Sequence, residues 1–547
     1  MDTIDESPKN LLDILPIQIK NSSHIHPFEL RHFIPPQNYG ERFKRMERCL
    51  LCRESCPKSY FCPACGFHLC PTCVNKNPLS VDPRKTHEHP LTCVPKLGFI
   101  FTCDACGVGD IISFLCMCIP CCFAIHLKCV LLPRTICINR HEDRISLRLP
   151  LGSGDWSCRV CRKHVNGEYG GYSCLTCSNY VVHSKCATDK DVWDGIELDG
   201  VPEEDPKEIL PFEVVDEGVI KHFGHEHNLR VTVLEEGETL NLRHKQCSAC
   251  ILPIYSDPCY ICTHHCDFIL HEVCANFLKK KRHPADSHRF TLSAFSLNGE
   301  NFVCLRSCQL CQQIINGFSY ESGNKSIHVQ CASFQDGYVH VSHPHSELVI
   351  LENRRHSSRF CSNCKRKGTW ENHLRMMGCI ECEDFNLCFR CLTLPKVVEH
   401  KYDKHPLSLC YGENWASEYW CDLCETRLDP RQWYYTCREG NSTLHTHCVL
   451  GEDSGYRLGY IFDKYGDIKF KVVSNSSVTR PHCHICKSRC QGPCLFKFKD
   501  LSFCSSECVT AGWECRVCHT SISGQYGLYI CPNCKGSNLL CKLDSHK

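Results

Sequence analysis

Apolar residues in this chain are interrupted before they can build anything large. Along its 547 residues they fall in short stretches cut by cysteine, histidine and charged positions. No run approaches the roughly 20 apolar residues of a membrane-spanning helix. The N-terminus, from Met1 to Lys9, has no apolar signal core. The stretches group into segments of roughly 45–60 residues, too short to close an adequate apolar core unaided. Recurrent aromatics (Tyr172, Phe268, Phe318 and Tyr435) read as the centres of such small cores. The pattern therefore predicts a string of small modules, each needing a second source of stability.

Composition supplies that source. The chain has 53 cysteines and 33 histidines, and its 62 basic and 61 acidic residues leave a net charge of +1. So balanced a charge argues against a nucleic-acid coat protein, which binds by a basic excess. Without a visible signal peptide the thiols are expected in an intracellular, reducing compartment, cytoplasm or nucleus, where cysteine density means metal. Seventeen Cys-x2-Cys pairs, with His-x2-Cys pairs between them, have the spacing that aims two donors at one tetrahedral ion. Buried cysteines acting as small hydrophobes would not give this spacing, and disulfides would not explain the histidines.

The spacing repeats. The clearest unit reads His89, Cys103-x2-Cys106, Cys118-x2-Cys121-x4-His126-x2-Cys129-x7-Cys137. The next reads His141, Cys158-x2-Cys161-x12-Cys174-x2-Cys177-x5-His183-x2-Cys186, and Cys515-x2-Cys518-x12-Cys531 repeats its middle. This order resembles a C1-type zinc finger. The lead-in His87-Glu-His89-Pro-Leu91, the run from Cys266 to His271 and Cys274, and Val192-Trp-Asp-Gly195 resemble the divergent C1 (DC1) proteins of plants, a Cys/His-rich C1-domain family. The resemblance implies small α+β modules in tandem, each a short β-sheet and a short helix on two zinc ions, with a zinc-ribbon-like C-terminal part.

Seven units are expected, over 24–86, 87–140, 141–222, 225–283, 288–340, 343–400 and 405–451. A four-cysteine finger follows over 481–510 and a truncated unit over 512–547. The first unit offers Cys49, Cys52, Cys62, Cys65, Cys70 and Cys73, with Cys70 in the place of a histidine. The third lacks a closing cysteine after Cys186, and His222 is the candidate. The fourth begins at His225 or His227 and offers Cys247, Cys250, Cys262, Cys266, His271, Cys274 and a closing His283, with Cys259 a rival of Cys262. The fifth keeps Cys308, Cys311, His328 and Cys331, but Ser322 and Gly323 stand where its second pair belongs. The sixth offers His345, Cys361, Cys364, Cys379, Cys382, Cys388, Cys391 and a closing His400. The seventh has Cys421, Cys424, His445 and Cys448, with only Cys437 left of its second pair. At the C-terminus come Cys483, Cys486, Cys504 and Cys508, with Cys490 and Cys494 as spare or alternative ligands, then Cys515, Cys518, Cys531 and Cys534. Complete sets add up to roughly 14 structural zinc ions.

The pairing is expected to interleave: Cys103 and Cys106 with His126 and Cys129, and Cys118 and Cys121 with Cys137 and His89. Two ions then fix a whole unit by closing long loops. The acidic stretch 187–221, with 12 Asp or Glu against three Lys, reads as a linker or loop, and 452–480 as a second connection. Lys279–Arg282 reads as a solvated basic strip.

Other chemistries fit less well. Diacylglycerol-binding C1 fingers carry a glutamine where this chain has Lys58, Phe114, Gly170, Arg375, Trp433 and Gly527. Trp420-Cys421-x2-Cys424 is superficially like a disulfide reductase site but lies inside a ligand pattern. PHD and RING fingers need a further close pair that is missing. The expected role is a zinc-binding interaction scaffold or signalling adaptor rather than an enzyme. Its partners would be other proteins, not lipid, nucleic acid or a small substrate.

Overall fold

The computed structural model describes residues 18–21, 24–32, 49, 58–63, 67–72, 87–88, 91–94, 101–110, 115–118, 121–203, 209–233, 245–254, 258–294, 306–351, 359–368, 375–382, 384–400, 402–412, 418–451, 455–463, 469–475, 480–511, 513–515 and 539–541. They form two compact bodies, 1–202 and 203–547.

One plan recurs. In unit three the antiparallel sheet runs Thr135–Ile136, Ile145–Arg148, Gly171–Cys174, Val181–His183. The one-turn helix Ser184–Ala187 follows directly. A separate ribbon, Trp156–Ser157 with His164–Val165, carries the first cysteine pair. Units six and seven repeat this, with sheets ending at Asn386–Cys388 and Thr443–His445 and helices Phe389–Leu392 and Thr446–Leu450. Unit five ends on the 3-10 turn Cys331–Ser333 instead, and unit four gains a fifth strand, Phe212–Asp216. The helices are single turns because their task is local: the strand ends on one donor and the turn presents the next, three residues on.

In units three to seven the first strand of the sheet comes from residues that follow the preceding unit's helix. Thr135–Ile136 joins the sheet of unit three, Lys280–Lys281 that of unit five, Tyr338–His340 that of unit six and Val397–Val398 that of unit seven. In the same way Phe212–Asp216 and Val219–His222 belong to the sheet of unit four. The end of the acidic stretch is thus strand, and Lys280–Lys281 of the basic strip lies in a ladder. A buried tyrosine fastens three of these joints. The hydroxyls of Tyr172, Tyr320 and Tyr435 donate to the carbonyls of Pro133, Leu278 and Pro395 at 2.6–2.7 Å. Tyr172, Tyr435 and Phe318 are core residues, as their recurrence suggests; Phe268 is partly buried.

Successive units also dock through the knuckle of the first cysteine pair. Gly170 N–H donates to Asp104 O, Phe318 N–H to Ala249 O, Arg390 Nε to Cys311 O and Trp433 N–H to Asn363 Oδ1, all at 2.8–2.9 Å. A side chain at Gly317 would collide with the Ala249 carbonyl, so glycine lets the backbones approach. One continuous core runs through units four to seven.

The stretch 452–480 is more than a connection. Ile461–Asp463 and Lys469–Ser474 pair with Cys494–Phe498 and Leu501–Phe503 in a four-stranded sheet, and the helix Ser506–Ala511 follows. This sheet repeats the plan of the units and returns to unit four. Leu458 N–H donates to Gln246 Oε1 at 2.8 Å, and Arg457 reaches Ser248. No helix among the described residues is long and apolar enough to cross a membrane.

Candidate metal centres

The strand–turn junction builds the first kind of centre. In unit four, Cys247 and Cys250 sit on the ribbon knuckle, His271 ends a strand and Cys274 lies in the following turn. Their donor atoms lie within 4.8 Å of one another. The same holds for Cys103, Cys106, His126 and Cys129; for Cys158, Cys161, His183 and Cys186; and for Cys308, Cys311, His328 and Cys331. In unit seven, His445 Nδ1 lies 3.4 Å from Cys424 Sγ and 3.8 Å from Cys448 Sγ, with Cys421 against Cys448. Cys103 and Cys106 therefore meet the His-x2-Cys pair, not Cys118 and Cys121, and the pairing interleaves.

Three of the histidines are oriented from both sides. Nδ1 faces the thiols, while Nε2–H donates to a backbone carbonyl: His183 to His164 O, His271 to Pro253 O and His328 to Ile314 O, at 2.9–3.2 Å. Such a bond fixes the tautomer that leaves Nδ1 free to ligate. The backbone N–H of His126, His183, His328 and His445 donates to the first sulfur of its group, Cys103, Cys158, Cys308 and Cys421, at 3.4–3.5 Å. In unit six Cys388 takes the histidine's place. Cys361–Cys391, Cys364–Cys388 and Cys388–Cys391 are each separated by 3.6 Å, near the edge of about 3.8 Å expected for a tetrahedron with Zn–S of about 2.3 Å.

The electrostatics of these groups call for a cation. Bonds from Cys186 and the backbone bring Cys158 down to about 4, and those bonds and burial push Cys186 far up. Burial opposes protonation of His126, but bonds to Cys103 and Cys106 lift it to about 9. Four converging donors cannot all give up their protons without a metal charge among them. The donor chemistry fits a zinc-type ion, held in unit four by Cys247, Cys250, His271 and Cys274.

The second kind of centre joins the lead-in to the second cysteine pair. In unit four it is His225, His227, Cys262 and Cys266, with His225 Nε2 3.2 Å from Cys262 Sγ and His227 Nδ1 3.3 Å from Cys266 Sγ. Both lead-in histidines take part. Cys262 rather than Cys259 is the partner, and Cys259 is a buried core thiol pushed up to about 11. In unit six His345 Nε2 lies 3.1 Å from Cys382 Sγ, with His343 beside it. In unit three Asp143 Oδ2 lies 3.9 Å from Cys174 Sγ, 3.8 Å from Cys177 Sγ and 3.9 Å from His141 Nε2. The first lead-in histidine stacks on an aromatic just past the pair: His141 on Tyr180, His225 on Phe268, His343 on Phe385 and His87 on Phe123. In unit two this stack gives His87 the place that His225 has in unit four. Sequence reasoning passed over His87, His343 and Asp143, and offered His225 only as an alternative to His227. Their signal is a pair of donors two apart, just ahead of a strand.

Three expected closing ligands are corrected. His222, His283 and His400 sit at the ends of the borrowed strands, where Nδ1 accepts the backbone N–H two residues on: Gly224, Ala285 and Tyr402, at 3.1–3.3 Å. His340 does the same with Ser342. His283 Nε2 also donates to Phe334 O at 3.0 Å, leaving it no lone pair for a metal. Burial holds His222 and His283 down at about 4. His222 belongs to the sheet of unit four, so it does not close unit three; Asp143 stands with His141, Cys174 and Cys177 instead. Cys137 follows the strand Thr135–Ile136 of the next sheet.

At the C-terminus, Cys504 lies 3.6 Å from Cys486 and 3.5 Å from Cys508, with Cys483 against Cys508. Cys490 is a buried thiol pushed up to about 12, and Cys116 is disulfide-bonded. His89, Cys52, Cys65, Cys73, Cys518, Cys531 and Cys534 lie outside the described residues, as do the side chains of Cys62 and Cys515.

The fold and its donor groups define a protein of tandem C1-like domains. The C1 domain family model matches residues 139–187, 223–275 and 400–449, and the model for the C-terminal C1-like domain matches 470–509. The chain thus carries three DC1-type C1 domains and a C-terminal C1-like domain; units five and six, outside the matched segments, share the sheet order. Neither curated proteins nor solved structures gave a match.

Proposed function

We propose that the protein is a zinc-organised interaction scaffold without catalysis of its own. The observation that carries this reading is closure: the donor groups of units two to five named above each supply four side chains, which leaves no open coordination position of the kind a catalytic zinc keeps. The Cys421–Cys424 pair is committed to His445 and Cys448, so a reductase role has no free dithiol. Apolar side chains stand exposed on the units, Phe360 at 54% and Trp420 at 55% on their ribbons and Leu175 at 70% beside a cysteine pair. Such exposed apolar positions are what a protein partner would cover.

Zinc is the expected ion, at roughly 14 per chain, each worth roughly 10–16 kcal/mol in comparable sites against the roughly 5 kcal/mol of a modest domain. Metal analysis of the purified chain should find zinc near that number. A strong chelator should abolish the circular dichroism signal and protease resistance together. Fewer than about half as many ions, or an unchanged fold after complete removal, would sink the reading. Liposome flotation and insulin reduction should both be negative; a positive result in either would favour a lipid effector or an oxidoreductase.

A further inference from the structure

The lead-in centre fails in sequence in units five and seven, and the two failures differ. In unit five an ammonium stands where the ion would be: Lys325 Nζ lies 2.6 Å from Asp286 Oδ2, and Asp286 Oδ1 is 3.1 Å from His288 Nδ1. The hairpin there joins Ser322 to Lys325 directly, and no cysteine remains. Unit seven keeps its knuckle. Gly440 N–H donates to Cys437 Sγ at 3.2 Å, the bond by which Cys382 N–H holds Cys379 Sγ at 3.2 Å.

The place of the missing second thiol is taken by Asp403, since a side chain at Gly440 would run into its carboxylate. The Asp403 side chain is only 4% exposed. Its Oδ1 accepts the backbone N–H of His405 at 2.9 Å. No well-formed hydrogen bond reaches its buried Oδ2; the Cys437 thiol and the Ser442 hydroxyl stand beside the carboxylate. His405 completes the cluster, with Nδ1 3.4 Å from Asp403 Oδ1 and Nε2 3.2 Å from Glu439 Oε2. The two carboxylates thus flank the imidazole at its two nitrogens, and with the Cys437 thiol three acids stand around a single imidazole.

We propose that Asp403, His405 Nδ1 and Cys437 form a second metal site in unit seven, with Glu439 bracing the imidazole at Nε2, a mixed-donor zinc site more exchangeable than the thiolate-rich ones. It rests on the zinc-organised reading above. Carboxylate oxygens are competent zinc ligands at about 2.0–2.2 Å, and a divalent ion answers both the buried Oδ2 and the excess of acids. With one thiolate instead of two to four, the hold is weaker. His405 is 49% exposed, so the ion has a path to solvent. Unit seven then carries two ions where its sequence alone promises one.

The test uses the full chain, loaded with zinc. Native mass spectrometry counts the ions, and a zinc-binding dye follows their release. Asp403→Asn and Cys437→Ala should each lower the count by about one and remove the fastest phase of release. Glu439→Gln, at an exposed position that does not endanger folding, should speed that phase by about tenfold or more. Asp286→Asn, at the lysine-filled position of unit five, should leave count and release unchanged. An unaltered count in Asp403→Asn together with unaltered release in Glu439→Gln would overturn the proposal. A wild-type chain without zinc in any unit would overturn the zinc reading itself.

Discussion

At the scale of the residue, one side-chain type does two opposite jobs. His271 and its counterparts turn Nδ1 to sulfur; His283 turns it to a backbone N–H two residues on, in the manner of an aspartate or asparagine turn. Buried and neutral, His283 has its pKa pulled down to about 4 from an ordinary value near 6.5. Above pH 6.5 neither folded nor unfolded chain protonates it, and its contribution is fully present. As the pH falls from 6.5 towards 4 only the unfolded chain takes up the proton, so stability declines, by on the order of 3 kcal/mol in all, and levels off below 4. His283→Asn keeps the turn acceptor and removes the titration. Denaturant melts of the two proteins between pH 7 and 5, with zinc content followed alongside, should show a shallower acid slope in the variant. Equal slopes would count against the turn role.

At the scale of the element, the borrowed strands are only two to four residues long and depend on few contacts. The Tyr320 hydroxyl is one of them, donating to Leu278 O just ahead of Lys280–Lys281. Tyr320→Phe should cost about 1 kcal/mol, because the Leu278 carbonyl loses its donor and the joint its hydrogen bond. Hydrogen exchange of the Lys281 and Phe290 amides should quicken with it; unchanged exchange would show that the joint is held otherwise. Elements of this size also explain how far the sequence could be read. The Cys-x2-Cys and His-x2-Cys groups were legible because a knuckle and a one-turn helix fix donor spacing within a few residues. The lead-in groups were less so. His225 and Cys262 are brought together by strands that meet only in the ladder Leu229 to Cys262, across loops of no fixed length. Asp143 hides the repeat by replacing a histidine. The joints themselves left no signal, for strands of two residues have no periodicity to detect.

At the scale of the whole molecule, the C-terminal sheet returns to the start of the second body. Leu458 bonds Gln246, 212 residues away, and Gly455 lies against the Ile314 carbonyl, where a side chain would have no room. Units four to seven and the C-terminal domain therefore close on themselves instead of hanging as independent beads. Gly455→Val should break the closure at a cost of about 1–3 kcal/mol. It should also split a single denaturation step for 203–547 into two. Limited proteolysis would then cut first in 451–460, and one unbroken transition in the variant would argue for independent units.

The strand handed from each finger to the next has a consequence for how the chain is made. A ribosome delivers residues in order, at about 5–20 per second, so a finished finger emerges trailing a strand with no sheet to join. Lys280–Lys281 must wait for Phe290–Ser293 and then for Ser319–Ser322, a delay of some seconds at that rate. The trailing strand is already anchored at one end, and this lowers the entropy of closing the next sheet. Folding should thus pass from finger to finger in the direction of synthesis, each template prepared by the one before. A fragment begun at His343, at the first donor of unit six, would lack Tyr338–His340 and start on a bare sheet edge, whereas one begun near Gln335 would carry its own template.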